Sequence, residues 1–377
     1  MTVVFHGARA LDADGQREDA WLLVEGEVIR ACGTGRAPTA GHVIDVAGAR
    51  LTPGFIDLHC HGGDGHAFDD GAAAMLAGLA VHRRHGTTRS VISLVANPLP
   101  VLRSGLESVL DLTRRDRLVL GSHLEGPWLA PSRAGAHHPD QLHPPAAAEV
   151  AGLLAAAGGT LRQVTLAPEL PGALDAIATL TAAGVQVAVG HTEADHAQTR
   201  EAFNAGARLL THAFNAMPGI GHRAPGPVVA ALGDPRVTIE LILDGDHVHP
   251  AVAAVLLGAA PGRVALITDA MAAAGAGDGD YRLGSRDVTV RAGRAVLRGT
   301  SVLAGSTLTQ DQALRLAITR LRLAPEAAVA AVTSVPAAAL GLGLRFGMLR
   351  PGYAADLVLL DDDWGVTAVW ANGRRIT

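Results

Sequence analysis

The sequence predicts an α/β protein: a (β/α)8 TIM-like barrel with a small β-sandwich domain formed by the N- and C-terminal segments. Three observations carry this. Eight short apolar segments alternate with Ala- and Leu-rich stretches of helical character, the pattern of parallel βαβ units and, at eight, of a closed barrel. Strand-like segments with no helices between them fill the first 50 residues and return at the end of the chain. The unusual polar residues fall where the apolar segments stop.

Taken in order, Val3–Arg9, Ala20–Val24, Val28–Cys32 and His42–Val46 read as short strands separated by Gly, Asp and Pro. They form the first part of the small domain, residues 1–50. The barrel spans 51–342. Its eight strands are Gly54–Cys60, Thr88–Val95, Leu118–His123, Gln163–Ala167, Val185–Val189, Arg208–Thr211, Val237–Leu243 and Val264–Thr268. Helical stretches such as Ala72–His85, Ala146–Ala157 and Leu174–Ala183 fall between them. The Ala/Gly segment Ala270–Gly279 reads as a mobile loop. Residues 343–377 complete the small domain with Asp356–Leu360, Val366–Trp370 and a turn at Asn372-Gly373.

Composition narrows the function. The chain has 377 residues, 49% of them hydrophobic, enough for a large core. Net charge is -5 and no basic stretch occurs, so neither nucleic acid nor an anionic membrane surface is expected as a partner. Apolar runs such as Ala251–Ala260 are far short of the ~20 residues that span a bilayer. The first residues lack the charged and apolar regions of a signal peptide, and there are only two cysteines, so a cytoplasmic location is expected. All 31 basic residues are arginine. That excludes a phosphate-loop lysine, a Schiff-base lysine and a carboxylated lysine between two metals.

The polar residues at strand ends carry the chemistry. His59 and His61 end strand one, Glu125 strand three, His191 strand five, His212 strand six and Asp269 strand eight. In a (β/α)8 barrel these C-terminal ends form one face, so distant parts of the chain converge there. Side chains two apart on a strand share a side, so both imidazoles of His59-Cys60-His61 can face the mouth. They read either as a ligand pair or as polar residues at a strand exit, with Cys60 a small core residue. Glu125 reads as a ligand or as a cap of the next segment. In Gly190-His191 the glycine is expected to let the backbone turn sharply. Two imidazoles and a carboxylate with an open position suit a catalytic zinc or iron ion. Asp269 reads as the base beside a metal-activated water, or as a helix cap. His6, His82, His85 and His196 read as structural or solvated.

With these motifs in view, the chain resembles the N-acetylglucosamine-6-phosphate deacetylase family of the amidohydrolase superfamily, nearly end to end. The marks are Pro53-Gly-Phe-Ile-Asp-Leu-His-Cys-His61-Gly62, His123-Leu-Glu-Gly-Pro-Trp128 with Gly135-Ala-His137, Gly190-His-Thr-Glu-Ala194, Thr211-His-Ala-Phe-Asn-Ala-Met217 and Thr268-Asp-Ala270. The first and last are shared across much of the superfamily. The resemblance implies a metal held by Glu125, His191 and His212, with Asp269 as acid and base and His137 polarising the acetyl carbonyl. It implies Asn215 and the Ala216 backbone at the phosphate, Arg223 joining from the neighbouring subunit of a homodimer, and His247 at the sugar. Some members lack His-x-His and use one metal, while this chain keeps it. A second ion on His59 and His61, with Glu125 bridging and Asp269 nearby, is therefore a hypothesis.

The expected reaction is metal-dependent hydrolysis of the acetamide of N-acetyl-D-glucosamine 6-phosphate, in amino-sugar catabolism or cell-wall recycling. The cofactor is a divalent ion, zinc or iron, one or two per subunit. Three rivals stand beside it: the galactosamine epimer as substrate, a different amidohydrolase such as a D-aminoacylase-like enzyme, and a metal-free scaffold.

Overall fold

The computed structural model describes residues 2–377. Eight strands pair in one sheet in chain order: Phe55–Asp57, Thr87–Val95, Val119–Glu125, Leu161–Leu166, Gln186–Val189, Leu209–Leu210, Thr238–Ile242 and Val264–Ile267. We call these barrel strands 1 to 8. From strand 2 onward each successive pair is parallel. The exits of strands 1 and 8 also meet: the Asp269 N–H donates to the His59 carbonyl at 2.8 Å and the His61 N–H to the Ala270 carbonyl at 2.7 Å. The (β/α)8 barrel expected from the sequence is thus the observed fold. Strand 2 is buried at all nine positions and strand 8 at all four, as expected of strands with helices outside and side chains filling the interior. The helices Ala72–Arg84, Ala147–Ala157 and Ala173–Ala182 lie within a residue of the expected ranges at each end.

The chain divides into two compact units. One comprises the residues up to Asp57, His82–Arg89 and Thr309–Thr377, and the other Leu58–Val81 and Ser90–Leu308. In the first, the two ends of the chain join in a single hydrogen-bonded sheet. Leu357–Leu360 pairs antiparallel with Arg50–Pro53, which pairs with Thr2–Asp12, followed by Gly15–Glu25 and Val28–Thr34. The expected sandwich takes the form of a sheet that forks. Val3–His6 pairs with His42–Asp45, while Arg9 and Ala10 pair with Arg50 and Leu51. The fork falls at Gly7, whose φ of 68° a side chain would resist. Phe5 packs edge-on against Trp370 at 5.1 Å, joining N- and C-terminal segments in one core.

Two expectations change in the second unit. The stretch after strand 8 is not a loose loop through its first half: Ala270–Ala274 are buried, and their backbone accepts from His61, Asp64 and Gly65. Only Gly275–Asp278 are exposed. Beyond them lies a three-stranded antiparallel sheet that the sequence pattern did not predict, Gly279–Leu283, Arg286–Arg291 and Arg294–Leu297. Val288, Val290, Ala295 and Leu297 pack beneath it against Met271 and Ala272.

In the first unit Arg89 is 2% exposed and binds Asp356 through two nitrogens, at 2.6 and 3.0 Å, and Asn372 at 2.6 Å. Breaking a buried pair from one side leaves a charge without compensation. Arg89→Met should therefore lower stability by about 3–5 kcal/mol, read as a fall in the urea midpoint. Adding Asp356→Leu should recover much of it. A single variant as stable as the parent would contradict this account.

Candidate metal centre

Four of the polar side chains at the barrel mouth are placed by the ends of strands. Glu125 is the last residue of strand 3, and His191 follows strand 5 by two residues. His212 and Asp269 likewise sit two residues past strands 6 and 8. His191, His212 and Asp269 have φ of 47°, 26° and 48°, the left-handed region that costs a non-glycine residue of order 1–3 kcal/mol. The turn at strand 5 is made by His191 itself, which corrects the role expected of Gly190. That glycine is required for space, since a Cβ there would come within 2.7 Å of Thr211 and 2.8 Å of Thr165.

The site converges on one carboxylate. Glu125 Oε1 lies 3.0 Å from Nε2 of both His191 and His212. Its Oε2 lies 3.2 Å from Nε2 of both His61 and His137. His59 Nε2 is 2.9 Å from His61 Nε2, 3.4 Å from Asp269 Oδ1 and 3.5 Å from Glu125 Oε1. Asp269 Oδ1 is 3.3 Å from His61 Nε2. Two trios result, Glu125–His191–His212 and His59–His61–Asp269, each with its ligand atoms within 4.8 Å of one another and all members buried.

This donor set fits a cation. The Nε2 atoms of His191 and His212 face each other at 3.0 Å, and those of His59 and His61 at 2.9 Å. At most one nitrogen of each pair can donate to the other, whereas ligands at 2.0–2.1 Å from one ion come about this close. On its other side, His191 Nδ1 is 2.8 Å from the Arg133 carbonyl, which fixes a proton there and turns the Nε2 lone pair inward.

Electrostatics agree. Burial pushes Glu125 up, but the imidazoles of His59 and His137 hold it well below the usual carboxylate range. Burial also opposes the Asp269 anion, and His59 and His61 bring it down to about 2. In return, burial depresses His59 and His61 less than Glu125 and Asp269 raise them. His59 rises well above its ordinary value and His61 to about 9. His137 and His123 are lowered, foremost by burial.

A cavity of about 420 Å3 opens over these groups, lined by His61, Glu125, His137, His191, His212 and Asp269 among others. Asn215, Ala216 and His247 also line it. Asn215 Nδ2 donates to the His212 and Ala213 carbonyls, and Ala216 has a φ of 51°. His247 Nδ1 lies 2.6 Å from Asp244 Oδ2, and that carboxylate raises an imidazole which burial alone would lower. Arg223 is exposed and is not among the lining residues. Sequence reasoning missed Arg133 and Arg294, which do line the cavity. Arg133 is paired with Glu193 through Nε and Nη2, and Arg294 comes from the unforeseen three-stranded sheet.

Comparison with known proteins agrees with this arrangement. Residues 50–376 match the amidohydrolase family. An N-acetylgalactosamine-6-phosphate deacetylase of Escherichia coli is 39% identical, with 99% of each chain covered. An N-acetylglucosamine-6-phosphate deacetylase of Vibrio furnissii is 34% identical, with 99% of this chain and 94% of that protein covered. Among solved structures, N-acetyl-D-glucosamine-6-phosphate deacetylase of Mycobacterium smegmatis matches with a TM-score of 0.95 and 42% identity over 99% of both chains. That structure is of an Asp-to-Ala variant in complex with N-acetyl-D-glucosamine-6-phosphate. The chain belongs to the amidohydrolase family, whose members are generally metal-dependent.

The raised imidazoles give a testable sign. His61 is lifted from 6.5 to about 9, so in the metal-free protein its contribution to stability is complete below pH 6.5 and is lost as pH rises toward 9. A cation must displace those protons. Calorimetric titration of metal-free protein with Zn2+, in buffers of different ionisation enthalpy at pH 7, should show net proton release. Apparent affinity should rise between pH 6.5 and 9. Binding with no proton release would contradict the assignment.

Proposed function

We propose that this chain hydrolyses the acetamide of N-acetyl-D-glucosamine 6-phosphate to D-glucosamine 6-phosphate and acetate. The observation that carries this is the placing of Glu125, His191, His212 and Asp269 at the mouth of one cavity, in a chain whose relatives are named for amino-sugar phosphate deacetylation. Glu125, His191 and His212 would hold a divalent ion, zinc or iron. His59, His61 and Asp269 would hold a second, with Glu125 turning one oxygen to each trio.

A bound ion supplies a water acidified from 15.7 toward ~7 and a polarised acetyl carbonyl. The chain's own groups do the rest. Asp269, held as a carboxylate, takes a proton from the attacking water. His137 lines the cavity beside Glu125 and steadies the carbonyl oxygen as negative charge develops there. The C–N bond breaks as Asp269 returns the proton to nitrogen. The water's oxygen stays on the acetyl carbon and leaves as acetate. Asn215 and the Ala216 backbone meet the phosphate, His247 the sugar. Arg223, exposed in its own subunit, reaches the phosphate of the neighbouring subunit in a homodimer. A planar guanidinium suits that role.

We place the enzyme in the cytoplasm, in keeping with two free cysteines. Among the described residues no helix is long and apolar enough to cross a membrane. The galactosamine epimer is the second reading, favoured by the Escherichia coli relative.

Acetate release from the two epimeric 6-phosphates and from unphosphorylated N-acetylglucosamine tests this directly. The glucosamine 6-phosphate should be turned over with the highest kcat/KM, and the unphosphorylated sugar hardly at all. A preference for the galactosamine epimer would select the second reading. Asp269→Asn should lower kcat by about 10²–10⁴-fold with metal retained on the Glu125 trio. Near-normal turnover would rule out its role as base.

A further inference from the structure

The proposed hydrolysis leaves a fully buried carboxylate of the barrel interior without a task. Glu240 lies mid-way along barrel strand 7, 0% exposed, where an apolar side chain would fill the interior at less cost. Its two oxygens are divided. Oε1 accepts from Gln163 Nε2 at 2.7 Å, and Oε2 faces His59 Nδ1 at 3.5 Å, the long end of hydrogen-bond range. Among the described residues no arginine pairs with it.

The His59 ring separates Glu240 from the two trios. With Oε2 placed as the acceptor facing Nδ1, Glu240 favours the form of His59 with its proton on Nδ1. Nε2 then faces His61, Asp269 and Glu125, and its lone pair is the one a cation takes when it displaces the second ring proton. His123 steadies the ring edge-on, with centroids 4.6 Å apart, and is itself held by Ser93 and Thr165 at 2.9 Å each. The proton position of His59 is thus set by Glu240 and its ring position by His123.

The surroundings point the same way. Glu125, Asp269 and Glu240 are three buried carboxylates that meet around the His59 ring.

We propose that Glu240, oriented by Gln163, is a positioning residue that fixes His59 with Nδ1 protonated and so makes His59–His61–Asp269 a site for a second divalent cation. This rests on the reading of the two trios as metal sites. The trio of Glu125, His191 and His212 has its own orienting contact, His191 Nδ1 to the Arg133 carbonyl, and does not depend on Glu240.

The test is a titration of the metal-free full-length protein with Zn2+ against a chromophoric chelator, with bound ions counted by elemental analysis. The parent should bind two ions. Glu240→Gln should weaken one site by about 10–100-fold and leave the other unchanged. His59→Asn should lose that same site. If Glu240→Gln keeps both affinities while His59→Asn loses one ion, the role of Glu240 is overturned and the two-site reading stands. If the parent binds one ion and His59→Asn is identical, the two-site reading falls and takes the proposal with it. Should Glu240→Gln fail to fold, Gln163→Met, which removes the orienting donor, carries the test. The same one-sided loss supports the proposal, and unchanged affinity at both sites overturns it.

Discussion

The structure turns on one buried carboxylate. Glu125 lies within 3.5 Å of ring nitrogens from His59, His61, His137, His191 and His212. A carboxylate withdrawn from water must be compensated, and neutral imidazoles compensate it poorly. The protein alone answers by drawing protons onto His59 and His61. A divalent cation answers better, because it satisfies the carboxylates and the imidazole lone pairs together.

The barrel exists, in this sense, to hold that convergence in place. Its strands deliver side chains separated by up to 210 residues in sequence to one mouth, as Asp269 meets His59. Packed helices and a buried interior make the strand ends rigid. That rigidity sustains left-handed backbone at His191, His212 and Asp269, a local cost that an unsupported loop would relax. Orienting contacts then set the rings: the Arg133 carbonyl on His191, Glu240 on His59, and Ser93 with Thr165 on His123.

Much of this was legible in the chain. All eight barrel strands are short apolar runs bounded by polar or turn residues, and burial on both faces makes such runs continuous. His59, His61, Glu125, His191, His212 and Asp269 stood out because polar groups end apolar strands. What escaped is equally physical. The sheet of residues 279–297 alternates Val288 and Val290 with Asp287, Thr289 and Arg291, a hairpin pattern bounded by Gly284 and Gly293. Its charged outer face and the Ala/Gly run before it read as loop. Arg294 was hidden with it. Glu240 and Gln163 lie inside apolar strands, where a single polar residue is easily passed over. Their partners come from other strands, so only the closed barrel brings them together.

The most direct measurement is anomalous diffraction from crystals of the zinc-loaded protein at the zinc edge. A peak is expected about 2.0–2.2 Å from the ligand atoms of Glu125, His191 and His212. Zinc absent from that position, or bound only at the surface, would contradict the claim that this convergence is a metal centre.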